Sequence, residues 1–79
     1  MVPRMIEARH LGGYRIEVRY EDGVRAELDL EKELWGEVFE PLRDLEAFRA
    51  FRIDPDFHTL VWPNGADFAP EFLYEQARR

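Results

Sequence analysis

The polar residues of the segment Trp62-Pro63-Asn64-Gly65-Ala66-Asp67 are the clearest candidates for a recognition site. Asn64 and Asp67 lie in or next to a tight turn, and such a turn can present hydrogen-bonding groups on a rigid frame. Together with Trp62 they could form a recognition patch. A structural reading, which we favour, is that Trp62 packs in the core, Asn64 shapes the turn and Asp67 accepts hydrogen bonds from backbone N–H groups.

Three glutamates could bind a cation. Glu7, Glu17 and Glu27 alternate with apolar residues, and the register predicted below aligns them in one row across three strands. Carboxylates are ligands that a hard cation such as Ca²⁺ prefers. Arginines flank this row on both sides, so we expect a solvated, charge-paired sheet face and no metal site. These arginines are Arg9, Arg15, Arg19 and Arg25.

The sequence lacks most of the side chains that nucleophilic catalysis uses. The chain has no cysteine and no serine, which excludes Ser/His/Asp and Cys/His sites. The lone Thr59 follows His58, and neighbours on a strand point to opposite faces. The spacing of the 17 acidic residues does not exclude a pair of carboxylates of the kind that glycosidases use. A chain of 79 residues, however, offers little material for a deep substrate cleft. We expect neither an enzyme nor a cofactor.

The large aromatic side chains exceed what so small a core can hide, since 14% of the residues are aromatic. If several are exposed together, they form a protein-contact patch, because aromatic residues are enriched at interaction hot spots. The alternative is that the core takes them all. An edge strand offers a second route to a partner, by strand addition. The aromatic residues in question are Tyr14, Tyr20, Trp35, Phe39 and Phe57.

Length and composition indicate a single domain over residues 1–79. The net charge of −6 argues against direct nucleic-acid binding, which requires a basic surface. Residues 1–11 are polar and interrupted by Pro3, so we expect no signal peptide. Because no apolar run approaches the ~20 residues of a membrane helix, we expect a cytoplasmic protein without membrane contact.

Alternating apolar and charged residues predict a β-hairpin formed by residues 14–20 and 24–30. A three-residue loop, Glu21-Asp22-Gly23, sets apolar residues opposite one another, for example Ile16 opposite Leu28. A two-residue loop would set every apolar residue opposite a charge. We therefore predict a type I turn whose glycine is left-handed and forms a bulge.

This register has an electrostatic cost on the polar face, where Arg19 lies opposite Arg25 and Glu17 opposite Glu27. Each like pair costs up to ~1 kcal/mol, which is less than the ~1.5–3 kcal/mol contributed by burying each large apolar side chain. The diagonal pairs Glu17–Arg25 and Arg19–Glu27 should offset part of the repulsion.

The strand before this hairpin is predicted from the alternation of Ile6 and Ala8 with charged residues. An odd loop around Gly12-Gly13 would keep apolar residues paired. It would set Ile6 opposite Val18 and Ala8 opposite Ile16.

Helix signals follow the strands. Asp29 can cap a short helix over residues 30–34, and residues 38–42, interrupted by Pro41, are predicted to be irregular. Asp44 is a good N-cap for a helix near residues 45–51. The side chains that this helix should bury are Leu45, Phe48 and Phe51.

The final third contains a predicted strand over residues 57–62, a turn through Pro63 and Gly65, and a very short strand over residues 66–68. Pro70 fits the first position of a last helix that reaches about Ala77. The fold class is thus α+β, a three-stranded antiparallel meander plus a short C-terminal strand or hairpin, with two or three short helices packed on it. The predicted turn and cap residues are Gly23, Asp29, Asp44, Pro63, Gly65 and Pro70.

Several of these pieces match a known pattern: Pro3-Arg4, residues 18–23, Leu28-Asp29-Leu30, residues 39–44 with Phe48, and residues 62–67 through Pro70 and residues 73–75. Over nearly its whole length the chain resembles the small bacterial domain-of-unknown-function family 2442. The resemblance implies a compact α+β fold and no established catalytic residues. Some members look like partners of a second small protein in toxin–antitoxin-like pairs. Others carry an added helix-turn-helix domain, which we do not expect here.

Taken together, these features predict a non-enzymatic protein-interaction module with a protein partner or a homodimeric state. The resemblance implies that the partner is a small toxin-like protein. The alternative is a small-ligand or metal-binding domain that uses the polar end near Asn64 and Asp67.

Overall fold

The computed structural model describes residues 2–79 and confirms the α+β fold. A three-stranded antiparallel sheet has the order β1-β2-β3, and a separate hairpin pairs β4 with β5. The strands are β1 Met5–Gly12, β2 Arg15–Tyr20, β3 Arg25–Asp29, β4 Arg52–Ile53 and β5 Leu60–Val61. The helices are α1 Leu45–Phe48 and α2 Pro70–Ala77, with 3₁₀ turns at Glu31–Glu33 and Glu40–Arg43.

The β2–β3 hairpin has the register predicted from the sequence, with Ile16 opposite Leu28 and Val18 opposite Ala26. Its three-residue loop is closed by two hydrogen bonds: the backbone N–H of Tyr20 donates to the carbonyl of residue 24 at 2.8 Å, and that of Gly23 donates to the carbonyl of Tyr20 at 3.0 Å. Gly23 has a φ of 95°, which residues with a side chain rarely adopt. The need to bury one face of both strands fixed this register.

The predicted register of β1 is wrong by two residues, since Ala8 lies opposite Val18 rather than Ile16. The pairing is irregular between Met5 and Glu7, and this bulge interrupts the in–out alternation. As a result Met5 is 2% exposed and enters the core, whereas Ile6 is 47% exposed. A flexible methionine side chain fills irregular core space well.

The outer face of the sheet is covered by charged pairs, and the predicted diagonal pairs are wrong. Each glutamate instead meets a different arginine, and the row of three glutamates does not form because Glu7 lies opposite Arg19. Exposed pairs of this kind contribute at most about 1 kcal/mol each. The pairs are Arg9–Glu17 at 3.1 Å, Arg15–Glu27 at 3.0 Å and Arg19–Glu7 at 3.5 Å.

Short turns, rather than full helices, follow β3. The Oδ1 atom of Asp29 accepts a hydrogen bond from the Glu31 N–H at 3.1 Å, at the start of a 3₁₀ turn that ends at Glu33. Residues 40–43, predicted to be irregular in their first part, form a second 3₁₀ turn. Pro41 is tolerated there because the first N–H groups of a helix have no partner within it.

Helix α1 is shorter than predicted. Its N-cap is Asp44, whose Oδ1 atom accepts a hydrogen bond from the Glu46 N–H at 3.1 Å. The helix ends at Phe48 instead of residue 51, and Leu45 is exposed rather than buried. Four residues make little more than one turn, so Phe48 is the one residue of this helix that is fully buried, and Ala47 packs against the core from its edge.

The loop between Trp62 and Ala66 repeats the geometry of the first hairpin loop. The Trp62 N–H donates to the Ala66 carbonyl at 2.9 Å, and the Gly65 N–H donates to the Trp62 carbonyl at 2.9 Å. Gly65 has a φ of 89°. In both loops an Asx side chain precedes the glycine, and its Oδ1 atom accepts a hydrogen bond from the N–H two residues on. Asp22 accepts from Val24 at 3.1 Å and Asn64 from Ala66 at 3.0 Å.

The predicted strand over residues 57–62 is wrong for its first half. Only Leu60–Val61 is strand, whereas Phe57 lies in a turn and is 69% exposed. The partner strand β4 was not predicted, because two residues carry no periodic signal. The short strand predicted near residue 67 is present as a single bridge between Val61 and Asp67.

The core centres on Trp62, whose ring lies 5.8 Å from the rings of both Phe48 and Phe68. The indole N–H donates to the Phe48 carbonyl at 2.8 Å, so the polar atom of this buried ring is satisfied. The apolar faces of the sheet and of α2 close around it. The buried apolar residues are Met5, Ile16, Val18, Tyr20, Leu28, Leu30, Leu34, Leu42, Phe48, Leu60, Trp62, Ala66, Phe68, Leu73 and Ala77.

Tyr20 carries a buried hydroxyl for which residues 2–79 supply no hydrogen-bond partner. An unsatisfied buried polar group costs about 1–3 kcal/mol. We therefore expect Tyr20→Phe to raise the free energy of unfolding by about 1 kcal/mol at neutral pH, measured by urea denaturation. A variant less stable than the parent would contradict this expectation.

The same variant has an alkaline readout. Burial, reinforced by the nearby Tyr74 and Asp22, raises the pKa of Tyr20 from its ordinary value of 10.0 to about 12. Between these values the unfolded phenol is ionised and the folded one is not, so stability falls as the pH rises from 10.0 to about 12. The Tyr20→Phe variant should lack this part of the loss of stability at alkaline pH.

The hydroxyl of Tyr74 on α2 donates to Asp22 in the first hairpin loop. This hydrogen bond lowers the pKa of Asp22 below its ordinary value of 3.8, and a hydrogen bond from the Val24 N–H is the next largest cause. A lowered pKa in the folded state contributes stability above pH 3.8, and that stability is lost as the pH falls through the folded-state pKa.

We expect Tyr74→Phe to raise the pKa of Asp22 toward 3.8 and to weaken the loss of stability below that pH. The pKa is measured by following the carboxyl carbon of Asp22 by NMR between pH 2 and 6. Tyr14→Phe is the matched control, because the Tyr14 hydroxyl donates to the carbonyl of Arg43 and not to a carboxylate. An Asp22 pKa that is the same in all three proteins would refute the assignment.

Candidate functional site

The three residues of the predicted recognition patch lie in different surroundings. Trp62 is 2% exposed and belongs to the core. The amide of Asn64 makes two internal hydrogen bonds, donating from Nδ2 to the Val38 carbonyl at 2.9 Å and accepting at Oδ1 from the Ala66 N–H. Asp67 is exposed and lines the groove described next.

An apolar groove of about 400 Å³ lies where the segment after β3 meets the start of α2. It is open to solvent rather than enclosed. We call it the aromatic groove, since four of its seven lining residues are aromatic. The lining residues are Glu33, Trp35, Phe39, Asp67, Phe68, Ala69 and Phe72.

Three phenyl rings form the floor of the aromatic groove. Phe39 and Phe68 stack at 4.7 Å with an angle of 26° between their planes, and Phe68 and Phe72 stack at 5.8 Å and 20°. Phe68 is buried against Trp62, whereas the other two rings are only partly covered. The floor is therefore anchored to the core through Phe68.

Trp35 forms the exposed wall of the aromatic groove. It is 73% exposed, the highest value among the large apolar residues exposed in the described chain. Its neighbour Leu34 is 1% exposed and fixes the backbone to the core. A tryptophan held out into solvent beside three phenyl rings is a surface able to bury much apolar area on contact.

The segment that carries Trp35 is held on both sides by side-chain hydrogen bonds. The guanidinium of Arg43 donates to the Leu34 carbonyl at 3.2 Å. On the other side Asn64 donates to the Val38 carbonyl at 2.9 Å. Because both anchors are internal to the chain, they fix the backbone on either side of Trp35 without a partner, and less backbone ordering entropy is lost on binding.

The charged residues lining the aromatic groove are both acidic. Glu33 is partly exposed and Asp67 is exposed, and neither Lys nor Arg lines the groove. The whole chain carries a net charge of −6. An apolar floor with carboxylates at its margin favours a partner that combines apolar and positively charged groups.

The residues with nucleophilic or metal-ligating chemistry are used structurally or lie apart. The Thr59 hydroxyl donates to the Phe68 carbonyl at 2.8 Å inside the core. The Nε2 atom of His10 lies 2.8 Å from the Gly13 carbonyl, and its ring packs on Phe48 at 6.0 Å. Within residues 2–79 no three His, Asp or Glu side chains are grouped to hold a metal ion.

Sequence reasoning identified part of the aromatic groove and missed the rest. Of the five aromatic residues predicted to exceed the core, Trp35 and Phe57 are exposed, whereas Tyr14 and Phe39 are partly buried and Tyr20 belongs to the core. Trp35 and Phe39 line the groove. Phe68, Phe72 and Glu33 were missed. No helical spacing links Phe68 and Phe72, because Phe68 lies in the segment before α2 and Phe72 lies in the first turn of that helix.

Comparison with known proteins identifies one family. A family model described as "Protein of unknown function (DUF2442)" matches residues 5–79. No curated protein and no solved structure matches the chain. In the part of the chain that the structure describes, every helix is too short or too polar to cross a membrane.

Proposed function

The chain belongs to the DUF2442 family, and from that premise we propose that it is a non-enzymatic protein-interaction module whose aromatic groove binds a segment of a partner protein. The single observation that carries this proposal is the exposure of Trp35 beside three stacked phenyl rings. Tryptophan is enriched at binding hot spots, where it fills a partner's surface and is desolvated on contact.

The shape of the aromatic groove supports a protein segment as its occupant. Small-molecule sites usually enclose 70–90% of the ligand surface, whereas this groove of about 400 Å³ is open to solvent. A side chain or short segment can lie in such a groove while the rest of its chain remains outside. The preformed wall around Trp35 suits recognition without rearrangement.

The partner that we propose is a second small bacterial protein, in line with the toxin–antitoxin-like pairs that the family resemblance implies. The acidic charge of this chain, −6, favours a basic partner and would speed its association. In this proposal the chain acts in the cytoplasm as the antitoxin-like or regulatory member of the pair, and residues 1–79 act as one domain.

Co-expression with the product of the adjacent gene tests the proposal. We expect the two proteins to co-purify and to form a complex with a dissociation constant in the micromolar range or tighter, measured by calorimetry. The same preparation without the partner shows by sedimentation whether the chain is a homodimer. Two proteins that stay separate at micromolar concentrations, or a complex unaffected by changes in the aromatic groove, would contradict it.

A further inference from the structure

Resting on that proposed function, we infer that the aromatic groove takes an arginine side chain of the partner segment. Its aliphatic stem lies on the phenyl rings of Phe39 and Phe72, and its guanidinium lies against the Trp35 indole between the carboxylates of Glu33 and Asp67.

The floor suits a long side chain with an apolar stem. The rings of Phe39, Phe68 and Phe72 present a continuous apolar surface, because successive rings stack at 4.7 Å and 5.8 Å. Arginine and lysine bury their methylene stems on such surfaces and keep the charged head near water. An exposed indole face beside the floor attracts a cation placed over it, and tryptophan is the best aromatic residue for this contact.

The margin requires a positive charge. Glu33 is already partly covered by the protein, so an apolar occupant would remove more water from its carboxylate and supply nothing in exchange. A guanidinium supplies charge-assisted hydrogen bonds to the carboxylates of Glu33 and Asp67, both of which line the groove. The groove lining supplies no lysine or arginine to do so.

Other occupants fit less well. A second copy of this chain would bring another charge of −6 and an acidic groove margin against Glu33 and Asp67. A lysine ammonium is a compact, strongly hydrated charge that cannot stack flat on an indole. The planar, weakly hydrated guanidinium stacks and binds carboxylates with two parallel hydrogen bonds.

Selection from a random peptide display library tests this inference with the folded protein as bait. We expect the peptides that depend on Trp35 to share an arginine flanked by apolar residues. For the tightest peptide, calorimetry should show at least about tenfold weaker binding when its arginine is replaced by glutamine. Replacement by lysine should weaken binding less than glutamine does but measurably.

Matched variants of the protein show whether the carboxylates of the groove, rather than the net charge of the chain, determine peptide binding. The double variant Glu33→Gln/Asp67→Asn should bind the arginine peptide about tenfold more weakly and should bind the glutamine peptide as the parent does. Glu46→Gln/Asp56→Asn makes the same change in net charge at exposed residues outside the groove and should leave binding within about twofold. Thermal unfolding of both double variants checks that they remain folded.

The possible failures separate this inference from the proposed function. Peptides that depend on Trp35 but lack arginine, or that prefer lysine, overturn the arginine assignment and leave the interaction module standing. Arginine peptides that bind the Glu33→Gln/Asp67→Asn variant as tightly as the parent also overturn it. A library that yields no peptide dependent on Trp35 removes the proposed function together with the inference.

Discussion

Replacing Trp62 by alanine is expected to lower the free energy of unfolding at 25 °C by about 4–6 kcal/mol. Trp62 is 2% exposed, and its ring centroid lies 5.8 Å from those of Phe48 and Phe68. Its indole N–H donates to the Phe48 carbonyl. Truncation of a buried tryptophan to alanine costs about 3–5 kcal/mol. The Phe48 carbonyl also loses its hydrogen-bond donor, which adds about 1 kcal/mol or more. A domain of this length has a total stability of roughly 4–12 kcal/mol.

Urea denaturation followed by far-UV circular dichroism measures this effect. Trp62→Phe keeps part of the ring volume and loses the hydrogen bond, so its stability should lie between those of the parent and of Trp62→Ala. The exposed tryptophan provides the matched control, since Trp35→Ala should change stability by no more than about 0.5 kcal/mol. A Trp62→Ala protein with the denaturation midpoint of the parent would show that the core is not organised around this ring.

Trp35→Ala is expected to abolish most binding to the partner while the fold persists. Truncation of a central hot-spot tryptophan costs about 2 kcal/mol or more of binding free energy, which corresponds to roughly 30-fold in the dissociation constant. The aromatic groove loses its exposed wall in this variant, and the phenyl floor remains. Calorimetric titration with the co-purified partner, or with a selected peptide, gives the two dissociation constants.

Phe57→Ala is the control for this prediction. Phe57 is 69% exposed, nearly as much as Trp35 at 73%, but it lies in the loop between β4 and β5, outside the aromatic groove. Its truncation should leave binding within about twofold, because isolated exposed apolar residues contribute little. If Phe57→Ala weakened binding as much as Trp35→Ala, the contact surface would lie elsewhere.

The first hairpin could be predicted from the sequence in detail, whereas the strand before it could not. For β2 and β3, only one loop length keeps Ile16 opposite Leu28, so the burial of one face decides the register. Strand β1 has a weaker alternation, and a bulge changes which of Met5 and Ile6 enters the core. A bulge of this kind carries no periodic signal in the sequence.

The aromatic groove could be predicted only as an excess of aromatic side chains. Its walls come from residues 33–39 and 67–72, and their juxtaposition depends on long-range contacts such as that between Asn64 and the Val38 carbonyl. Asn64 was recognised as a turn residue, since an Asn-Gly pair indicates a tight turn. The hydrogen bond from its Nδ2 atom to the Val38 carbonyl, in another segment, has no local signal in the sequence.

The hydrogen bonds of Asn64 also govern the chemical ageing of the chain. In a flexible peptide an Asn-Gly pair loses ammonia readily, because the unhindered glycine nitrogen attacks the side-chain carbonyl carbon and closes a succinimide ring. Here the Gly65 N–H is held by the Trp62 carbonyl, and the amide of Asn64 is held by Val38 and Ala66. Ring closure requires these bonds to open first, so isoaspartate at this position should form only in molecules whose loop has opened.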